Sequence, residues 1–86
     1  MKDITLQVKI DKAEDVKEFC QEAYLCPFEV RLHSLDDQYR INAKSILGIF
    51  SLDLSKELTL IIKGVSEDDV QKADEFITKI KKYVVH

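Results

Sequence analysis

The chain has 86 residues and a formal net charge of −3, from 13 basic and 16 acidic side chains, which bounds it to one domain with a modest core. Hydrophobic residues at 45% and charged residues at 34% exclude a disordered tail. The acidic balance lacks the basic stripe that nucleic acid requires, and no apolar run approaches the roughly 20 residues that span a bilayer.

The start, MKDITL, runs directly into a strand pattern without the apolar block of a secretion signal, so the cytoplasm is the expected compartment. Residues 4–10 alternate, with Ile4, Leu6, Val8 and Ile10 on one side and Thr5, Gln7 and Lys9 on the other, which predicts a strand with one buried face. From 13 to 25 the period lengthens. Val16, Phe19, Cys20 and Ala23 recur at the spacing of an amphipathic helix, and Pro27 closes it. Phe28, Val30 and Leu32 then alternate with Glu29, Arg31 and His33. After a polar turn of four to five residues, Tyr39, Ile41 and Ala43 are expected inward on the second arm of a hairpin.

Next comes INAKSILGIFSL, residues 41–52, read as a short helix from Ile46 to about Leu52 with Ser45 as its N-cap. Gly48 is costly in a helix and predicts close approach of another backbone. Ile46, Leu47, Ile49, Phe50 and Leu52 exceed what one small core can bury. Leu47 and Phe50, with Ile46 beside them, are therefore expected to form a partner-binding patch next to the first helix. Leu58, Leu60 and Ile62 make a fourth strand ending at Gly64. Ser66-Glu67-Asp68-Asp69 reads as a capped start for a last helix that buries Val70, Ala73, Ile77, Ile80 and Val84, with Phe76 and Tyr83 flanking. The order β-α-β-β-α-β-α, with one polar face on every strand, predicts an α+β open-faced sandwich: a four-stranded antiparallel sheet with three helices on one face.

Chemistry is sparse. His33 lies on the polar side of a strand with no visible partner or pocket for acid–base work. Cys20 and Cys26, six residues apart, would point about 240° apart on a helix, so they are expected to be unbridged and reduced. Cys26 beside Pro27 and acidic residues is a poor nucleophile. Structural zinc takes about four ligands, and the only histidines are His33 and His86, so no metal and no cofactor are expected. The acidic runs at Asp36-Asp37 and Glu67-Asp69 are explained by a turn and a helix start. With only Gly48 and Gly64, the chain has no phosphate-cradling loop. The spacing alone describes a protein that is not an enzyme.

From Ile41 to about Ile80 the chain resembles the histidine-containing phosphocarrier protein (HPr) of the bacterial phosphotransferase system. INAKSILGIFSLDLSKELTLIIKG is similar to that family's strand, its Lys-Ser-Ile-Met/Leu-Gly serine motif, its middle helix and its fourth strand; VSEDDVQKADEFITKI is similar to its final helix. The resemblance implies the sandwich already reached from periodicity. It also implies a phosphoryl-carrying histidine in a Gly-Ile-His-Ala-Arg-Pro-like segment opening the first helix. Here that segment is IDKAEDV, residues 10–16, about three residues shorter, with Lys12 near the histidine position and Glu14 near the arginine position. No histidine occurs before His33.

A histidine-less, non-carrier member is thus expected, acting as a regulatory or protein-binding module toward a phosphotransferase-system or regulatory protein. Ser45 keeps two readings. It is a helix cap, or, as the resemblance implies, the serine that a dedicated kinase phosphorylates in some members. Two further classes stay open: a small-ligand or metal-binding protein using Asp11, Glu14 and Asp15, and a structural homodimer using the apolar patch or a sheet edge.

Overall fold

In a computed structural model, which describes residues 2–85, the alternating stretches form strands β1 (Lys2–Val8), β2 (Glu29–His33), β3 (Arg40–Asn42) and β4 (Leu58–Val65). The 3.6-residue patterns form α1 (Ala13–Leu25), α2 (Ile46–Phe50) and α3 (Val70–Lys79). Single 3-10 turns precede and follow α3, at Glu67–Asp69 and Lys81–Tyr83. The strands make one antiparallel sheet in the order β1-β4-β2-β3. The architecture is the open-faced α+β sandwich that the hydrophobic periods predict.

Register explains the one-sided burial. Val8 faces Leu58, Leu6 faces Leu60, and Ile62 is flanked by Ile4 and Val30, so the inward residues of three strands stand side by side. Val8, Val30, Leu32, Leu60 and Ile62 are fully buried under the helices, together with Val16, Phe19 and Ala23 of α1. The opposite face carries Gln7, Thr59 and Arg31, with Thr59 and Gln7 side chains hydrogen-bonded across the β1–β4 ladder at 3.1 Å.

β4 runs one residue past the predicted end. Gly64, at φ 69°, forms a bulge opposite Asp3, whose carboxylate accepts the Gly64 N–H at 3.0 Å. The bulge returns Val65 to the inner side, where it is buried. At the other end, Val84 bridges to Val8 and the Val85 N–H donates to the Gln7 carbonyl, so the tail after α3 lies along the outer edge of β1.

Several expectations are corrected. Tyr39 falls outside β3 and is exposed, because the β2–β3 connection takes six residues, 34–39, rather than four to five. Val70 is also exposed. The inward line of the last helical segment runs instead through Ala73, Phe76, Ile80 and Tyr83, so Phe76 and Tyr83 belong to the core. Ser66 begins the 3-10 turn without capping it: its hydroxyl donates to the Asp69 carboxylate at 3.1 Å. α2 stops at Phe50, two residues before Leu52.

The helices meet at Phe19. Its ring lies edge-on to Phe76, with centroids 6.3 Å apart, and to Tyr83, at 6.0 Å. Phe19→Ala is expected to destabilise the fold by about 3–5 kcal/mol, read as a lower urea midpoint with the slope unchanged.

Candidate functional site

α2 is short because little in its sequence sustains it beyond its caps. The Asn42 side chain accepts the Lys44 N–H at 2.9 Å and the Asn42 carbonyl accepts the Ser45 N–H at 2.9 Å, turning the chain out of β3. Ser45, in extended backbone geometry, then accepts the Gly48 N–H on its hydroxyl at 3.2 Å. At the other end the Ser51 hydroxyl donates to the Gly48 carbonyl at 2.5 Å. A Cβ on Gly48 would stand 3.3 Å from both the Ile41 Cβ and the Ser45 Oγ. The glycine thus admits a close side chain, not the backbone neighbour expected from sequence.

This seating fixes what α2 displays. Ile49 is buried in the core and Ile46 is half-buried against it. Leu47 is 80% exposed and Phe50 43% exposed. Ser45 is exposed too, although its hydroxyl caps the helix. α2 lies against α1, whose last turn exposes Tyr24 and Leu25. Lys44 joins the two helices: its ammonium donates to the Cys26 carbonyl at 2.8 Å, satisfying an otherwise open acceptor where α1 ends. The last turn of α1 has no basic residue of its own to do this.

The start of α1 is a separate place. Lys12 occupies the N-cap position without a side-chain hydrogen bond to the helix, and Glu14 is exposed in the first turn. Lys44 ties Ser45 to the C-terminal end of α1, and this helix is about 20 Å long. Lys12 and Glu14 therefore stand toward one end of α1 and Ser45 toward the other. Asp11 is paired with Lys9, and Asp15 accepts from the Tyr83 hydroxyl at 3.5 Å. Among the described residues no three His, Cys, Asp or Glu side chains gather as a cation would need, and no helix is long and apolar enough to cross a membrane. His86 lies outside the described residues.

Both cysteines are free and buried, and burial pushes their thiols up, Cys26 to about 11. His33 does have a partner. Its Nδ1 is 3.0 Å from the Asp37 carboxylate, which Arg40 also binds at 2.6 Å. Those contacts hold Asp37 in the left-handed region at φ 60°. The Arg40 guanidinium first, and then His33, keeps the Asp37 carboxyl below its ordinary range. The signal was present in sequence as the four-residue spacing of His33 and Asp37, but it is legible only once the turn has its true length.

The architecture has solved counterparts. HPr-C-His from Thermoanaerobacter tengcongensis superposes with a TM-score of 0.67 at 25% identity, over 95% of this chain and 93% of that one. The phosphocarrier protein HPr from Bacillus anthracis str. Ames gives 0.65 at 21% identity, over 93% and 99%. The chain has the HPr fold. No protein-family model matches the sequence, and no curated protein does. What the likeness to HPr carries is therefore the arrangement of strands and helices over nearly the whole chain.

Ser45→Ala is expected to cost about 1 kcal/mol and Ser45→Asp, which keeps a capping oxygen, much less, both measured by chemical denaturation. The raised Cys26 thiol favours the folded state while it is protonated. Its contribution is complete below an ordinary thiol value of 9 and is lost as pH rises toward 11. Native protein at pH 8 is accordingly expected to react with a thiol reagent such as dithiobisnitrobenzoate at least tenfold more slowly than protein unfolded in urea.

Proposed function

We propose that this chain is a cytoplasmic HPr-like protein that does not carry phosphate and works by binding a regulatory or phosphotransferase-system protein. The observation that carries the proposal is the start of α1. A phosphocarrier of this fold would place a histidine and an arginine there, and this chain has Lys12 and Glu14. A lysine side chain does not replace an imidazole in that transfer. Glu14 and Asp15 place two carboxylates where a dianionic phosphoryl group would need positive potential.

The binding role rests on the other end of the same helical face. Leu47 and Phe50 stand exposed on a helix clamped by Ser45, Ser51 and Gly48, so their positions are set before any partner arrives. Ile46 forms the half-buried base of this surface. Ser45 is the structural cap of that helix, and its exposure also makes it the regulatory acceptor we propose to test.

The test is direct. Incubated with phosphoenolpyruvate and the donor enzyme of the phosphotransferase system, the chain is expected to gain no acid-labile phosphate by mass spectrometry. Such a phosphate would overturn the non-carrier reading. Leu47→Asp is expected to abolish capture of phosphotransferase-system or regulatory proteins while leaving thermal stability within about 0.5 kcal/mol, since the side chain is exposed.

A further inference from the structure

A cleft of about 490 Å³ opens between the β2–β3 turn and the loop joining α2 to β4. Its base is Leu58, almost fully buried, and the wall on the turn side is Leu35 and Tyr39, which are 62% and 63% exposed. Asp36, Asp53 and Lys56 stand around it. Two large apolar side chains displayed on a polar turn are unusual, and neither is explained by the core or by the α2 surface.

The turn that displays them is built rigidly. The Ser34 N–H donates to the Tyr39 carbonyl at 2.8 Å, and the Ser34 hydroxyl accepts the Tyr39 N–H at 3.0 Å. That hydroxyl also donates to Asp36 Oδ1 at 2.5 Å, and the same oxygen accepts the Gln38 N–H at 3.1 Å. The clamp of His33 and Arg40 on Asp37 closes the outer side. Across the cleft, Asp53 accepts from the Ser55 N–H and hydroxyl, at 3.1 and 2.6 Å. Both walls are therefore preformed, which lowers the ordering cost of occupying the space between them.

Charge selects the occupant. Lys56 reaches Asp53 at 4.0 Å and its charge also acts on Asp36, so two carboxylates of the lining face one lining cation. The lining therefore keeps one net negative charge and includes the exposed phenol ring of Tyr39. A ring face and a carboxylate together attract a desolvated cation, while the leucines take an apolar body. We propose that this cleft binds a small amphipathic cation: an aromatic or short aliphatic group bearing an ammonium.

The test titrates 15N-labelled protein with phenethylamine, in its ammonium form at pH 7, and in parallel with 3-phenylpropanoate, its anionic counterpart. The expected result is saturable amide shifts confined to residues 34–39 and 51–58 with the amine, and binding at least tenfold weaker with the anion. Asp36→Asn keeps the oxygen that the turn uses and removes only the charge. It is expected to weaken the amine about fivefold, and Tyr39→Ala about tenfold, with the remaining spectrum unchanged. The proposal is overturned by the absence of saturable shifts in the cleft up to 10 mM amine, a level set by the millimolar affinities of fragment-sized ligands. It is equally overturned by an anion that binds as well as the amine, or by binding that both substitutions leave intact.

Discussion

The edge-on contacts of Phe19 with Phe76 and Tyr83 join the two long helices over the sheet. They set the spacing of α1 against α3 and the turn after α3, and so decide which side chains of α1 can reach the strands. Val16, Cys20 and Ala23 lie on the same stripe as Phe19 and are buried with it. Outside this junction, Glu18 and Lys82 pair at 2.9 Å and Glu22 and Lys79 at 3.7 Å, forming a charged flank along the same seam. These pairs are largely exposed and contribute little stability. With α1 placed, α2 has only one apolar slope left to occupy.

That slope accounts for the exposed residues of α2. A helix of five residues can turn only Ile49 fully inward while Ser45 and Ser51 close its ends. Leu47 and Phe50 are left outside by geometry, not by a lack of core space elsewhere. The link from Lys44 to the Cys26 carbonyl ties this short helix to the end of α1. The apolar surface is thus held by two helices and a strand end, which distinguishes it from a mobile loop.

The strands and helices were legible in the sequence because their periods are clean. Leu58, Leu60 and Ile62 alternate without interruption, and Val16, Phe19, Cys20 and Ala23 keep a helical stripe. Ser45 was legible as a cap for the same local reason: a hydroxyl followed by an apolar run. Tyr39 and Val70 depart from the pattern at element boundaries: Tyr39 lies in the turn before β3, and Val70 is the first residue of α3, off its inward line. The Lys44–Cys26 and His33–Asp37–Arg40 contacts depend on where separate segments meet or on the turn's length, which periodicity does not encode. The cleft beside Tyr39 is hidden for the same reason, since its two walls are 12 or more residues apart in the chain. The altered start of α1 was visible only against a family pattern, because Lys12 and Glu14 are unremarkable residues at a helix start.

The strand order β1-β4-β2-β3 has a consequence for how the chain is made. β1 is synthesised well before its ladder partner, which begins at Leu58. At cellular elongation rates of about 5–20 residues per second, β1 waits roughly 3 to 10 s with an unpaired edge and an uncovered apolar face. Only β2 and β3 can pair early, through three residue pairs, too few to be stable alone. Folding is therefore gated by the emergence of β4, the strand that closes both sides of the sheet at once. The wait favours a strand with polar residues between its apolar ones, and Thr5, Gln7 and Lys9 supply that spacing in the nascent chain.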